Sequence, residues 1–396
     1  MLKQSVKPFA RQSGNRVTRH ASWPFPRTRL ATAIAAVATL AVAATFNARA
    51  ESPDAVAAPP AASVTSTGAP EAESTPGKAT VALEPVVVIA DEIREPLKVV
   101  ADPKAPQQPL PAHDGADYLK TIPGFAVTRK GGTDGDALFR GMAGSRLGVM
   151  IDGENILGGC NARMDAPTAY IYPEIYDELT VVKGPQSVLY GPGNSAATVM
   201  FERKVERFDA AGVRFHGSAL AASADRTDVL ADVQAGAEQG YIQLTGSDST
   251  ANDYQDGDGN KVHSQYHRYS GHAALGWTPD DDTRVEISGA QSDGEAAYAD
   301  RGMDGTQFRR DSANLSFERD NLSPLVEKIE ANIYDNSVDH IMDDQELRTP
   351  GMMGYANLTR DTTGGRFAST LAVAEADLLT LGVDAQSNLH RSRNAS

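Results

Sequence analysis

Residues 213–223 read VRFHGSALAAS, a segment in which apolar side chains alternate with polar or small ones. Successive side chains of a β-strand point to opposite faces of a sheet, so this period of two predicts a strand whose faces differ chemically. The pattern recurs in YIQLTGS (241–247), YSGHAALGW (269–277), TRVEISGAQ (283–291), ANLSFERD (313–320) and EKIEANIYDN (327–336). The second half of the chain is therefore predicted to consist mainly of β-strands.

The connectors between these segments are alternately short and long. Turn-forming residues make up EQG (238–240), PDDD (279–282) and LSP (322–324), whereas residues 248–267 and 301–311 are long and polar. Strands in which apolar and polar residues alternate, joined by short turns on one side and long loops on the other, are typical of an outer-membrane β-barrel. A soluble β-sandwich also has alternating strands, and the period alone leaves that second interpretation open.

The first fifty residues predict where the chain functions. Residues 1–50 contain eight Lys or Arg and no Asp or Glu, then an apolar run from Leu30 to Phe46, then ARA ending at Ala50. This order predicts a cleaved export signal, with an uncleaved membrane anchor as the alternative. Removal of eight positive charges takes the formal net charge from −15 to −23, which argues against nucleic acid as a partner.

The next segment is predicted to be a disordered linker followed by a short extended motif. Residues 51–83 are rich in Pro, Ala, Ser and Thr and have few large apolar side chains to offset the entropy of ordering. Residues 84–90, EPVVVIA, carry a β-branched run suited to adding a strand to the sheet edge of another protein. An ordinary first strand of the following domain is an equally good interpretation.

Residues 91–208 are Gly-rich and contain short strand candidates such as LGVMIDG (147–153) and ELTVVKG (178–184). They predict a compact domain that is mostly β or mixed α and β. Within it lies Cys160, the single cysteine of the chain. Since this thiol cannot form an internal disulfide, it is a buried side chain without a chemical role, one half of an intermolecular disulfide or a metal ligand. No combination of nucleophile, base and oxyanion donors is apparent, so an enzyme is not expected.

Three segments of this domain identify a family. DYLKTIPGFAV (117–127), FRGMAGSRLGVMIDG (139–153) and PEIYDELTVVKGPQSVLYGPGNSAATVMFER (173–203) resemble the plug domain of TonB-dependent outer-membrane receptors. The resemblance implies a mostly β fold, in which a plug is followed by a transmembrane antiparallel β-barrel spanning residues 209–396. It also implies outer-membrane lipid and the C-terminal domain of TonB, with its ExbB/ExbD energy complex, as partners. The implied TonB-binding residues are Glu84, Pro85, Val86, Val87, Val88, Ile89 and Ala90.

Two further motifs resemble the copper-receptor branch of this family. GGCNARMDAP (158–167) and DHIMDD (339–344) imply a copper ion held by Cys160, Met164, His340 and Met342. Thiolate and thioether are soft ligands that select Cu(I), and imidazole also suits copper. Cys160 and Met164 share a face if their segment turns helically, and His340 and Met342 share one if their strand stays extended. A siderophore or other metal-chelate receptor, with an incidental Cys160, is the alternative.

The strand count predicts an incomplete barrel. About nine strands fit between residues 212 and 396, fewer than the family's twenty-two, and the chain ends in NLHRSRNAS and not in an aromatic residue. Because an open edge in lipid leaves backbone groups unsatisfied, we expect a truncated reading frame. A non-transporting surface-binding protein or a non-functional fragment is the remaining alternative. On the same count, His340 and Met342 fall at the outer end of strand seven.

Overall fold

The computed structural model describes residues 97–185, 188–191, 194–349, 351, 354–374 and 377–395. The predicted export signal (1–50), linker (51–83) and TonB-binding segment (84–90) therefore lie outside the described residues. So do the first residues, 91–96, of the predicted plug. The described chain is mostly β, and its two parts differ in the size and pairing of their sheets.

The first part contains seven short strands and one short helix. These elements are β1 (Lys98–Ala101), α1 (Gly115–Leu119), β2 (Phe125–Thr128), β3 (Asp136–Phe139), β4 (Leu147–Ile151), β5 (Glu154–Asn155), β6 (Glu178–Lys183) and β7 (Ala197–Glu202). Single 3-10 turns are formed by Gly144–Arg146, Pro167–Tyr170 and Pro173–Ile175. Asp114 caps α1, because its side chain accepts a hydrogen bond from the Asp117 amide at 2.8 Å.

A five-stranded sheet organises this first part, with strand order β1-β6-β7-β4-β5. The central pair β4 and β7 is parallel, while β6 runs antiparallel to both β1 and β7. Alternate residues point to one face and form the core, namely Val149, Ile151, Leu179, Val181, Val199 and Phe201. This alternation places the residues between them on the opposite face of the sheet.

The second part is one large antiparallel sheet. Its strands are β8 (Gly212–Ala222), β9 (Arg226–Ala237), β10 (Gly240–Ala251), β13 (Tyr266–Trp277), β14 (Thr283–Ala296), β15 (Asp304–Asp320), β16 (Val326–Asp343), β17 (Tyr355–Ala374) and β18 (Asp377–Ala395). They pair in chain order, and a small hairpin of β11 (Tyr254–Gln255) and β12 (Lys261–Val262) projects between β10 and β13. Among the described residues β8 and β18 are the sheet's edges, so the sheet does not close.

The two faces of the large sheet differ as the alternating sequence predicts. In β16, for example, Tyr334, Asn336 and Val338 are buried, while Ile333 and Asp335, at the alternate positions, are exposed. Exposed apolar side chains cover the outward face, including Val213, Phe215, Ile242, Leu244, Leu275, Trp277, Ile287, Leu315, Ile333 and Phe367. None of the described helices is long and apolar enough to cross a membrane.

The inward face of the large sheet packs against the first part of the chain. Arg310 of β15 forms a buried ion pair with Glu154, with Nη2 and Oε2 2.5 Å apart. Nearby, the Asn314 amide donates to the Asp152 carbonyl at 3.0 Å. Further along, the Arg268 guanidinium donates to the His113 carbonyl at 3.1 Å. Polar side chains of the strands therefore hold the small domain against the inward face of the sheet.

Candidate metal centre

A tight turn, residues 158–165, carries Cys160 and Met164. The Arg163 amide donates to the Cys160 carbonyl at 2.9 Å, and Arg163 has a left-handed backbone with φ of 56°. The segment is therefore a turn and does not continue as a helix. Met164 is buried in the main apolar core, and Cys160 packs against the same core. The turn thus brings both sulfur-containing side chains to one apolar cluster.

The Asp165 carboxylate holds this turn in shape. It accepts hydrogen bonds from the backbone amides of Gly159 and Cys160, at 2.6 and 2.7 Å. The Tyr170 hydroxyl donates to it at 2.8 Å. Three donors on one buried carboxylate leave the turn little freedom, because each bond is charge-assisted. Asp165 consequently fixes where the Cys160 side chain emerges.

Glycine is required where the turn meets the large sheet. A Cβ atom on Gly159 would lie 2.9 Å from the carbonyl oxygen of Leu358 in β17. The carbonyl of Gly159 also accepts a hydrogen bond from His390 Nε2 of β18 at 2.7 Å. The turn is therefore docked directly onto β17 and β18, next to strand β16.

His340 and Met342 lie at the end of β16, the seventh strand of the large sheet. Both are buried, and they share the inward face because they are two residues apart in an extended strand. The long connector 344–354 follows them, so they lie at the long-loop end of the sheet. This placement agrees with the strand count made from the sequence.

The two ring nitrogens of His340 have different environments. Nδ1 lies 2.9 Å from the carbonyl oxygen of Gln307, to which it donates as the protonated nitrogen. Nε2 is buried and has no hydrogen-bond partner among the residues that the structure describes. The Phe308 ring packs against the imidazole with 4.6 Å between centroids. A protonated Nδ1 bonded to a carbonyl and a free Nε2 lone pair are the usual state of a metal-binding histidine.

Sulfur atoms of the two parts meet at this point. Cys160 Sγ lies 3.8 Å from Met342 Sδ, across the boundary between the turn and β16. Metal–sulfur bonds in tetrahedral protein sites are about 2.3 Å long, so two sulfur ligands of one ion lie about 3.8 Å apart. The observed separation is also that of a direct contact between a thiol and a thioether, and it is compatible with two ligands of one metal ion.

A polar network surrounds the turn without touching these sulfur atoms. Arg163 forms a bidentate pair with Asp136, at 2.6 and 2.7 Å, and this hydrogen bonding raises the pKa of the guanidinium. The Tyr298 hydroxyl bridges the Asp134 carboxyl group and the Met164 carbonyl. Burial raises the pKa of Asp134 to about 7, although Lys130 and Tyr298 oppose the shift. Protonated Asp134 can donate to Tyr298 while Tyr298 donates to Met164, which satisfies both contacts.

The structure thus brings Cys160 and Met342 into contact, places His340 on the same strand face as Met342, and buries Met164 in the adjoining core. Among the described residues, no group of three or more His, Cys, Asp and Glu side chains is arranged to hold a metal. The candidate site instead combines one Cys and one His with two Met thioethers. Sequence reasoning missed Asp165, Tyr298 and His390, which support the turn from positions close and distant in sequence.

The comparisons with known proteins agree with this architecture. The family described as TonB-dependent Receptor Plug Domain matches residues 94–198. A solved structure titled copper transporter OprC is 51% identical, with a TM-score of 0.74, over 76% of this chain and 47% of that one. This chain thus spans about half of that transporter's length. No protein with a curated function matched the sequence.

More distant structures share the fold alone. The FrpB iron transporter from Neisseria meningitidis is 19% identical, with a TM-score of 0.57, over 71% of this chain and 46% of that one. The siderophore receptor PirA from Acinetobacter baumannii is 14% identical, also with a TM-score of 0.57, over 75% and 48% respectively. The plug-domain match and the 51% identical structure, together with the packing of the small domain against a large antiparallel sheet, show that the chain belongs to the family of TonB-dependent receptors.

Proposed function

We propose that this chain forms the metal-binding part of a TonB-dependent receptor that takes up copper as Cu(I). Its ligands are the Cys160 thiolate, the Met164 and Met342 thioethers and the His340 imidazole. The observation that carries the proposal is the 3.8 Å separation of Cys160 Sγ and Met342 Sδ, together with His340 on the same strand face, whose buried Nε2 has no hydrogen-bond partner among the described residues. The 51% identical copper transporter supports it independently.

The donor set favours a soft monovalent ion. Thiolate and thioether ligands select Cu(I) over hard cations such as Mg²⁺ and Ca²⁺, which prefer oxygen. Cys160 is the one ligand that becomes anionic, so it contributes the largest electrostatic attraction to the ion. The apolar side chains of Phe308 and Leu358 belong to the same buried cluster and limit the access of water to the ligands, although Cys160 itself is partly exposed.

The location of the site suggests how copper is released. Cys160 and Met164 belong to the plug, whereas His340 and Met342 belong to β16. Any displacement of the plug relative to the sheet separates the four ligands into two pairs. Since each pair alone holds the ion less tightly, plug movement converts a four-ligand site into two weak ones. Uptake by this mechanism consists of binding and release, and no covalent bond of the substrate is made or broken.

The remaining segments take the roles that the sequence predicts. We assign residues 1–50 to export, 51–83 to a linker, 84–90 to TonB binding, 91–208 to the plug and 209–396 to strands of the barrel. The exposed apolar side chains on the outward face of the large sheet suit contact with outer-membrane lipid. TonB, energised by ExbB/ExbD, would pull on residues 84–90 and so move the plug.

The test is the copper content of protein purified from outer membranes of copper-fed cells. After purification, wild type is expected to retain close to one tightly bound copper per chain, and Cys160→Ala is expected to lose that copper. Met142→Leu is the matched control, because it alters a plug methionine outside the four ligands and should retain the metal. Equal copper in wild type and Cys160→Ala would refute the four-ligand site and favour a receptor for a metal chelate.

A further inference from the structure

Two other plug methionines, Met150 and Met200, lie side by side away from the site described above. They are register partners in the parallel pair β4 and β7, so their side chains leave the same face of the plug sheet. Both are almost fully buried, at 6% and 7% exposed. Neighbouring strands are about 4.8 Å apart, a distance that two flexible Met side chains bridge easily.

The face that carries them is not the face that forms the core. Val149, Ile151, Val199 and Phe201 flank the two methionines in sequence and point into the main apolar cluster. Met150 and Met200 are absent from that cluster as the described residues define it. They line instead a cavity of about 470 Å³ between the plug and the large sheet.

The walls of this cavity are largely polar. Glu202 follows Met200 two residues later on the same strand face. Asp152 lies just beyond the end of β4, where its carboxylate pairs with Arg203. Glu330 and Arg366 face them from β16 and β17. The cavity thus carries charges of both signs, since Lys98, Lys204 and Arg284 also line it. Two thioethers that open into it beside the Glu202 carboxylate supply soft ligands for a cation such as Cu(I).

The cavity lies towards the short-turn end of the sheet. Asn332 of β16 lines it and precedes Met342 by ten residues, which corresponds to about 33 Å of extended strand. The cavity and the candidate metal centre are therefore separate sites. In the proposed function, copper enters at the long-loop end and leaves towards the short-turn end.

We propose that Met150 and Met200 form a second Cu(I) site, weaker than the first, which receives copper after it leaves Cys160. The inference rests on the proposed function, since it assumes that copper is the cargo. Without a thiolate, the two thioethers bind less tightly than the first site, and the neighbouring Glu202 carboxylate attracts the positive ion. A gradient from tight to weak binding lets the ion move on towards release.

The experiment is a Cu(I) titration of the purified receptor under anaerobic, reducing conditions, in competition with a coloured Cu(I) chelator. The test variant replaces both methionines, Met150→Leu with Met200→Leu, because Leu is close to Met in volume and preserves packing. Wild type is expected to bind two equivalents, one tight and one weaker, and the double variant only the tight one. Retention of the tight equivalent shows that the variant is folded, and Met142→Leu should match wild type.

The outcomes separate this inference from the proposed function. Cys160→Ala is expected to lose the tight equivalent and keep the weaker one. If the double leucine variant still binds two equivalents, or wild type binds only one, the second site is refuted while the first stands. If Cys160→Ala still binds the tight equivalent, the proposed function fails whatever the double variant does.

Discussion

Replacement of Asp165 by asparagine tests whether the turn is built to present Cys160. The carboxylate accepts from the Gly159 amide, the Cys160 amide and the Tyr170 hydroxyl, at 2.6, 2.7 and 2.8 Å. Asparagine keeps one acceptor oxygen and replaces the other with an amide group that cannot accept. Depending on its orientation, either the Cys160 amide or the pair of Gly159 and Tyr170 donors loses its partner.

The magnitude follows from these bonds. Hydrogen bonds to charged groups contribute about 1.5 to 3 kcal/mol each, and we take about 2 to 3 kcal/mol for the loss at this site. If copper binding must restore the turn, this free energy appears as weaker binding, roughly 25- to 150-fold in Kd. That range agrees with the effect of residues that orient metal ligands, about 10- to 100-fold.

The assay is competition for Cu(I) with a chelator, combined with a thermal melt. Asp177→Asn is the matched control, since Asp177 also accepts a backbone amide, from Lys204 at 2.7 Å, but lies away from the turn. The control should bind copper as wild type does. A folded Asp165→Asn protein with wild-type copper affinity would refute the idea that the carboxylate positions Cys160.

Three further predictions concern other parts of the molecule. His340→Phe preserves an aromatic ring beside Phe308 but supplies no nitrogen lone pair for the metal. Copper affinity, measured by chelator competition, should therefore fall at least about tenfold, or 1.4 kcal/mol. Unchanged affinity would show that His340 is not a ligand. Asp134→Asn tests the raised pKa of Asp134. Between about pH 4 and pH 7 the folded chain keeps a proton on this carboxyl group, whereas the unfolded chain releases it. The contribution of Asp134 to the free energy of unfolding should therefore fall by about 1.4 kcal/mol per pH unit as the pH rises towards about 7. Burial also raises the pKa of Glu154 to about 7, so both proteins keep its contribution, and denaturant titrations should show a fall that is shallower in Asp134→Asn than in wild type by about 1.4 kcal/mol per pH unit. An identical slope in both proteins would contradict the assignment. Val87→Pro removes a backbone donor from residues 84–90 and should abolish capture by the TonB C-terminal domain without altering copper content, whereas normal capture would place TonB binding elsewhere.

The strands of the large sheet could be predicted from the sequence because apolar and polar residues alternate along them with a period of two. In β16 that period predicts that His340 and Met342 share a face, and the structure places both on the inward side. Turn composition likewise predicts which strand ends carry the long loops. These features are local, so they can be read from neighbouring residues.

Local sequence patterns could not predict which residues come together at the candidate metal centre. Cys160 and Met342 are 182 residues apart, and their proximity was expected only through family resemblance. The contact of His390 with Gly159 spans 231 residues and has no local signal at all. Asp165 follows Met164 directly, but only the fold of the turn shows that its carboxylate faces the Gly159 and Cys160 amides. The expected helical turn between Cys160 and Met164 is replaced by a tighter turn that Gly159 and a left-handed Arg163 permit.

The pairing of the plug sheet illustrates the same limit. β4 and β7 are separated by β5, β6 and two 3-10 turns, yet they are direct neighbours in parallel orientation. No period in the sequence shows that Met150 and Met200 face each other. Their shared face becomes visible only when the strand order is known, and so does the cavity that they line.

The most direct test of the central claim is X-ray absorption at the copper edge of receptor labelled with selenomethionine and loaded with a single equivalent of Cu(I), which fills the tighter site. One copper bridging the plug and β16 predicts sulfur scattering from Cys160 together with selenium scattering from Met164 and Met342. Met342→Leu should reduce the selenium contribution by about half, since it removes one of the two first-site thioethers. Copper surrounded only by nitrogen and oxygen, with no sulfur or selenium neighbour, would contradict the proposed site.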